Sequence, residues 1–312
     1  MFQVTFKQLR YFDALARLGH FGRAAAACTI SQPALSMQIK ELEEGLGGVL
    51  IERGARRVGL TQFGEEVAQR ARDILRSVDE LGDFARASRD LLVGRLRIGM
   101  IPTIAPYLLP TIIGNLTRMH PELDIHVREA VTPKLIQELA EGRLDTAIVA
   151  LPVSEPSLTE VALFAENFLL VRPGEDDGTP VPTGKMLREM RLLLLEEGHC
   201  FRDQALSFCN MQSSPPRELL DASSLSTLVQ MVAAGIGVTL IPEMAVAVET
   251  RSASVSVARF KKPQPSRTIG MVWRKTSPLA RQLLQISEVV CLSADALRAL
   301  QAPTSSSRNP RS

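Results

Sequence analysis

Cys200 and Cys209 stand nine residues apart in the stretch Glu196-Glu197-Gly198-His199-Cys200-Phe201-Arg202-Asp203-Gln204-Ala205-Leu206-Ser207-Phe208-Cys209. Their neighbours differ: Cys200 follows His199 and lies two residues before Arg202. Positive neighbours lower a thiol pKa and raise the fraction of reactive thiolate. A helix over 202–210 places Cys200 at its N-terminus, where the dipole also favours an anion. An oxidant converts such a thiolate to a sulfenic acid, and a second thiol turns that into a disulfide. Cys209 is the nearest second thiol in sequence. A buried helix with two incidental cysteines fits the same residues, so both readings stay open at this point. Zinc at His199, Cys200 and Cys209 is set aside, because it has three ligands where zinc usually takes about four. No metal or cofactor is expected. Cys28 sits in an Ala-rich segment and Cys291 beside Val289, Val290 and Leu292; both read as packing residues.

A second group of side chains has polar edges suited to bases. A short Ala-rich helix at 21–28 is followed by Ser31-Gln32-Pro33-Ala34-Leu35-Ser36, which starts a helix running to about Leu46 and stopping at Gly47-Gly48. Ser31 is the expected N-cap, and Pro33 suits the first turn, where its missing N–H costs nothing. In a helix-turn-helix the second helix meets base edges with its N-terminal residues, here Ser31, Gln32, Pro33, Ala34, Ser36 and Gln38. Glutamine can bond adenine in a bidentate way, and serine bonds bases or phosphates. Extended segments at 49–53 and 57–60 make a wing whose Arg53, Arg56 and Arg57 are placed for phosphates or the minor groove. Within residues 1–60, Lys7, Arg10, Arg17, Arg23, Lys40, Arg53, Arg56 and Arg57 outnumber Asp13, Glu41, Glu43, Glu44 and Glu52, whereas the whole chain carries only +2. This mild basic excess suits a phosphate backbone. A generic helical hairpin accounts for the periodicity equally well.

The elements that must position these groups follow from patterning. A helix is predicted over 5–18. Residues 62–90 form a long amphipathic helix in which Val67, Ile74 and Leu81 are seven apart, with Ala71, Val78 and Ala85 four residues on. That heptad pattern reads as a dimer seam. From Arg95 strands alternate with helices: strands at 95–100, 123–127, 146–151, 167–172, 192–196, 236–241 and 268–273, helices at 105–119, 132–142, 224–234 and 278–297. Such alternation predicts an α/β fold with parallel sheets and crossover helices. The domains expected are 1–61, 62–90, 91–302 and a disordered tail, 303–312. No apolar run approaches the ~20 residues of a membrane span. Residues 1–20 lack an apolar signal core. A cytoplasmic location with reduced thiols is therefore expected, not a disulfide framework.

Leu9-Arg10-Tyr11-Phe12, His20-Phe21-Gly22-Arg23-Ala24-Ala25, Ser31-Gln32-Pro33-Ala34-Leu35-Ser36, Ile39, Leu42-Glu43, Leu46-Gly47, Leu50, Arg53 and Leu60-Thr61-Gln62-Phe63-Gly64 resemble the DNA-binding domain of LysR-type regulators. That resemblance implies a winged helix-turn-helix, a linker-helix dimer, and an effector domain of two α/β lobes like those of periplasmic solute-binding proteins. Gly198-His199-Cys200, Arg202-Asp203-Gln204-Ala205 and Cys209 are similar to peroxide-sensing members of that family. So are Gly99-Met100-Ile101-Pro102-Thr103, Glu129-Ala130-Val131-Thr132 and Pro265-Ser266-Arg267-Thr268. The resemblance implies Cys200 as the thiol that hydrogen peroxide oxidises, Cys209 as its disulfide partner, and a peroxide pocket of Thr103, Thr132, His199, Arg202 and Asp203. It further implies double-stranded promoter DNA and RNA polymerase as partners, antioxidant genes as targets, a homodimer or homotetramer, and a thiol reductant for reset. One departure is Ala222-Ser223-Ser224-Leu225, where a Thr is expected at Ser223; the hydroxyl is kept. Three alternatives stand beside this: a regulator with a small effector between its lobes, a cysteine peroxidase, and a solute-binding protein. The DNA-binding module argues against the second, and the missing signal segment against the third.

Overall fold

Thr5 starts the first helix. Its hydroxyl accepts from the Gln8 N–H, and the Gln8 side chain accepts in return from the Thr5 N–H, closing a capping box. The computed structural model describes residues 4–52, 58–87, 92–187, 189–209 and 221–301. It divides into two compact units, Met1–Ser88 and Arg89–Ser312.

In the first unit, α1 (Phe6–Leu18) ends at Gly19 in the left-handed region, as helices that stop at glycine do. Helix α2 (Phe21–Ala27) is capped by His20, whose Nδ1 accepts from the Gly22 and Arg23 N–H groups at 3.0 and 3.3 Å. Helix α3 (Gln32–Leu46) is capped by Ser31 and stopped by Gly47. Strands β1 (Ile51–Glu52) and β2 (Gly59–Leu60) pair antiparallel as a wing, and α4 (Gln62–Ala87) follows. Phe12, Leu15, Leu35, Ile39, Leu42 and Leu50 form the buried core, with Ala24 and Ala25 letting α2 approach closely. Each such large side chain contributes about 1.5–3 kcal/mol on burial. A Cβ on Gly64 would lie 2.1 Å from the Leu50 carbonyl, so only glycine lets α4 begin there. The heptad positions of α4 are unequal. Ala71 is buried and Val67 packs against this unit's own core. Val78 is half-buried. Ile74, Leu81 and also Phe84 are exposed at 45%, 68% and 65%. Arg53, Arg56 and the tail 303–312 lie outside the described residues.

The second unit contains β3 (Gly94–Met100), α5 (Ala105–Met119), β4 (Leu123–Glu129), α6 (Thr132–Ala140), β5 (Thr146–Leu151), β6 (Leu158–Pro173), α7 (Gly184–Leu187), β7 (Leu194–Leu195) and α8 (Cys200–Phe208). There follow β8 (Asp221–Ala222), α9 (Leu225–Ala233), β9 (Thr239–Pro242), α10 (Val246–Glu249), β10 (Val255–Arg259), β11 (Ser266–Arg274) and α11 (Ala280–Gln301). The strands run in the order β10-β6-β11-β5-β3-β4, with β9 also on β6. Contrary to an all-parallel expectation, the sheet is mixed: β3 pairs parallel with β4 and β5, whereas β11 runs antiparallel to β5 and β6. The cause is β6, expected only at 167–172 but 16 residues long. Its first part, to Asn167, pairs with β11; from Phe168 it pairs with β9 and β10. The chain thus makes two lobes, 94–167 with 266–301 and 168–265. The Phe168 N–H bonds the Pro265 carbonyl at 2.8 Å where both crossings meet.

Candidate functional site

Gly198 adopts φ +93, a turn that L side chains resist. His199 then runs extended, and α8 begins at Cys200, two residues before the predicted start. His199 offers no side-chain cap, so the first-turn N–H groups keep their partial positive charge beside the Cys200 residue. Cys200 is half-buried and Cys209, at the other end of α8, is fully buried; both are free thiols. Nine helical steps of about 1.5 Å separate their α-carbons by roughly 13 Å. A disulfide tolerates about 4.4–6.8 Å.

A pocket between the lobes contains Cys200. Ile101, Pro102, Thr103, Val131 and Thr132 line it from the first lobe, His199, Cys200 and Phe201 from the second. Its walls close until no water-sized void remains. The buried Thr132 hydroxyl has no hydrogen-bond partner among the described residues. Three of the five expected pocket residues, Thr103, Thr132 and His199, are therefore brought to Cys200. Arg202 and Asp203 do not line this pocket. Asp203 is exposed. Arg202 donates from Nη1 to the Leu195 carbonyl at 2.7 Å and to Asp221 Oδ1 at 2.5 Å. The expected cationic neighbours also read differently here. Burial pushes the His199 pKa below its ordinary value, against a smaller opposing pull from Glu196, so the neutral imidazole is favoured. The Arg202 charge is engaged by Asp221.

Sequence reading passed over Arg267 and Glu166 as site residues. They stand opposite each other on β11 and β6. Arg267 Nε and Nη2 reach Glu166 Oε2 at 2.8 and 2.7 Å. Arg267 also donates to the Thr103 hydroxyl at 2.8 Å and the Thr103 carbonyl at 3.1 Å. Its guanidinium lies 5.5 Å from the Phe201 ring centroid, and that ring meets Phe168 edge-on at 4.8 Å. Glu166 Oε1 accepts the Met244 N–H at 3.1 Å, which joins the lobes. Breaking such a buried pair by removing one partner costs about 3–5 kcal/mol. The available signal was a charge in each of two apolar strands, because a buried charge needs a partner.

In the first unit, α3 presents Ser31, Gln32, Pro33 and Ser36 to solvent, with Ala34 half-buried, while Leu35, Ile39 and Leu42 face the core. The Ser31 hydroxyl accepts from the Ala34 N–H at 3.4 Å. Gln38 is half-buried and its amide donates to Glu41 at 2.7 Å. Cys28 packs against this core, and Cys291 is half-buried near the Leu163 carbonyl at 3.6 Å. Among the described residues no His, Cys, Asp and Glu cluster could hold a metal, and no helix is long and apolar enough to cross a membrane.

Residues 6–65 match the model of the bacterial regulatory helix-turn-helix protein, lysR family, and residues 89–290 match the LysR substrate binding domain. A probable hydrogen peroxide-inducible genes activator of Streptomyces viridosporus is 44% identical over 292 residues, covering 91% of this chain and 93% of its own length. The DNA-binding transcriptional dual regulator OxyR of Escherichia coli is 41% identical over 290 residues, 92% of this chain and 95% of the relative. Among solved structures, full-length OxyR of Pseudomonas aeruginosa, a cysteine variant, aligns with TM-score 0.73 at 36% identity over 93% of this chain and 95% of that one. A hydrogen peroxide-bound cysteine variant of Corynebacterium glutamicum OxyR gives 0.66 at 35% identity over 96% and 95%.

Proposed function

The chain belongs to the LysR family of helix-turn-helix transcription regulators, in its OxyR branch, and from this premise we propose that Cys200 and Cys209 are its redox-active pair. Hydrogen peroxide is the signal. The Cys200 thiolate attacks one peroxide oxygen, the O–O bond breaks, and the other oxygen leaves with a proton as water. Cys200 is left as a sulfenic acid. Cys209 attacks that sulfur, the S–O bond breaks, a second water leaves, and a disulfide forms. Two thiols have then given two electrons to one peroxide. A dithiol reductant takes the disulfide back by exchange.

The observation that carries this reading is the inter-lobe pocket: a half-buried thiol beside two threonines and a histidine, with a second thiol at the far end of the same helix. The separation along α8 requires the helix to unwind before the disulfide closes. Phe201, edge-on to Phe168, and Phe208, 5.0 Å from Phe260, then lose their present contacts. That is a two-state element biased by a chemical signal. Its readout is binding of promoter DNA by Ser31, Gln32, Pro33, Ala34, Ser36 and Gln38, with Arg53 and Arg56 on the phosphates. Two copies join through Ile74, Val78 and Leu81 of α4, while Val67 of the same heptad series packs on its own unit, and RNA polymerase is the final partner.

Non-reducing peptide mapping after a brief peroxide pulse tests the pair. A Cys200–Cys209 peptide should appear in the wild type, a trapped sulfenic acid at Cys200 in Cys209→Ser, and no oxidation in Cys200→Ser. Sulfenic acid formed at Cys209 alone would reverse the roles. A peroxide-inert protein whose DNA binding answered instead to a small organic effector would favour the alternative regulator.

A further inference from the structure

We infer that Tyr107 and Glu249 form a latch between the lobes that keeps the Cys200 pocket closed and so selects hydrogen peroxide over alkyl hydroperoxides. This rests on the proposed role of Cys200 and adds a selectivity determinant outside the pocket itself. Tyr107 lies in the first turn of α5 in the first lobe, four residues after the pocket residue Thr103. Its hydroxyl donates to Glu249 Oε1 at 2.5 Å, and the Ser226 hydroxyl donates to Glu249 Oε2 at 2.5 Å. Both partners belong to the second lobe: Glu249 on α10, Ser226 in the first turn of α9. Short bonds from hydroxyls to a carboxylate are the strong, charge-assisted kind. Tyr107 is buried, and burial together with Glu249 pushes its pKa up, which keeps the phenol a donor.

The latch acts on the same body that carries the thiol. Helix α9 packs against β7 and β8. Arg202 in turn ties α8 to Leu195 of β7 and Asp221 of β8. A tilt of the second lobe about the crossings near 167–168 and 265–266 therefore moves His199, Cys200 and Phe201 away from Ile101, Pro102 and Thr103. Because the closed pocket holds no water-sized void, every oxidant requires some parting of these walls. Hydrogen peroxide is scarcely larger than water and requires little. A tert-butyl hydroperoxide must bring a branched carbon past both walls, which requires the latch to break.

The test compares the rates of Cys200 oxidation by hydrogen peroxide and by tert-butyl hydroperoxide in reduced full-length wild type, Tyr107→Phe and Glu249→Gln. With Tyr107→Phe the alkyl rate should rise about tenfold while the hydrogen peroxide rate stays within about twofold, since one charge-assisted hydrogen bond between the lobes is lost. Glu249→Gln, which keeps an acceptor but removes the charge, should fall between, and it carries the test if Tyr107→Phe does not fold. Ser226→Ala removes only a bond within the second lobe and should stay near wild type. An unchanged ratio of the two rates in both Tyr107→Phe and Glu249→Gln overturns the latch. Failure of wild-type Cys200 to react with hydrogen peroxide would instead overturn the reading on which it rests.

Discussion

Helices α3 and α8 each carry proposed functional residues at the N-terminal end, but they are held in opposite ways. Helix α3 has a side-chain cap at Ser31, a left-handed glycine stop at Gly47, and three apolar residues, Leu35, Ile39 and Leu42, in one core. Helix α8 has no side-chain cap and only nine residues; Phe201, Arg202 and Ala205 are its buried ones, and Cys209 ends it. Isolated helices this short are marginal in water, so α8 depends on what it touches. On the proposed function, one helix keeps its shape while it reads bases, and a bond between the ends of the other undoes it.

The largest effects should come from emptying each helix's core contact. Leu35→Ala should cost about 2–5 kcal/mol and Phe201→Ala about 3–5 kcal/mol in a fixed environment. The comparison predicts a difference in kind. Leu35→Ala should lower the melting temperature of reduced and oxidised protein alike, because α3 is the same in both. Phe201→Ala should lower it in the reduced protein only, since in the proposed oxidised form Phe201 has already left its edge-on contact with Phe168. Calorimetry on both redox forms decides, and equal losses in both forms for Phe201→Ala would mean that α8 survives oxidation.

Arg202 comes next. Its bonds to the Leu195 carbonyl and Asp221 hold the first turn of α8 on β7 and β8. Asp221 is 40% exposed, so the ion pair itself is screened, and the loss in Arg202→Ala is set at about 1–3 kcal/mol by the stranded carbonyl and the lost charged hydrogen bond. The destabilised reduced helix should close its disulfide at lower peroxide than wild type. Slower disulfide formation, measured by thiol titration, would mean that Arg202 serves the chemistry of Cys200 directly.

Much of this contrast was legible in the sequence, and what was not has a physical reason. Ser31, Pro33 and Gly47 act locally, so the ends of α3 could be read from residue types alone. The two thiols and their spacing were equally plain. The start of α8 was misplaced by two residues, because the turn at Gly198 and the extended His199 are set by the lobe around them. The first part of β6 was hidden because Glu160 and Glu166 interrupt its apolar pattern. Glu166 is tolerated there through Arg267, about a hundred residues away in the chain, and the Met244 N–H. Likewise Arg202, a neighbour of Cys200 in sequence, turns to Asp221, while distant Thr103 and Thr132 reach the pocket. Sequence proximity gave the candidate thiol; the tertiary pairings decided which neighbours it keeps.

Caps should show a smaller effect of opposite sign in the two helices. Ser31→Ala removes a cap and should cost about 1 kcal/mol of stability in the first unit. His199→Ser installs a cap that α8 lacks and should stabilise the reduced helix by about the same amount. It should then slow disulfide closure in protein whose Cys200 is already a sulfenic acid, as followed by rapid quench and mass spectrometry. Faster closure would show that His199 restrains the helix by packing more than its missing cap weakens it.

The smallest effect concerns the proton on His199, and its sign follows from burial. In the folded, reduced protein the imidazole pKa lies below its ordinary value of 6.5 because burial disfavours the cation. The unfolded chain therefore binds a proton there more readily than the folded one. Stability then rises with pH across this window, is fully present above about 6.5, and is lost as pH falls toward the lowered folded value. Glu196 opposes the shift, so the slope should be shallow. Wild-type reduced protein should lose stability as pH falls below about 6.5, and His199→Gln should lose less over the same range, because a neutral amide has no proton to gain. Helix α3 contains no histidine, and its local stability, followed by hydrogen exchange at Ile39 and Leu42, should not respond to His199→Gln. Parallel pH curves for the two proteins would place His199 in contact with water in the reduced state, and the closed pocket around Cys200 would have to be redrawn as an open one.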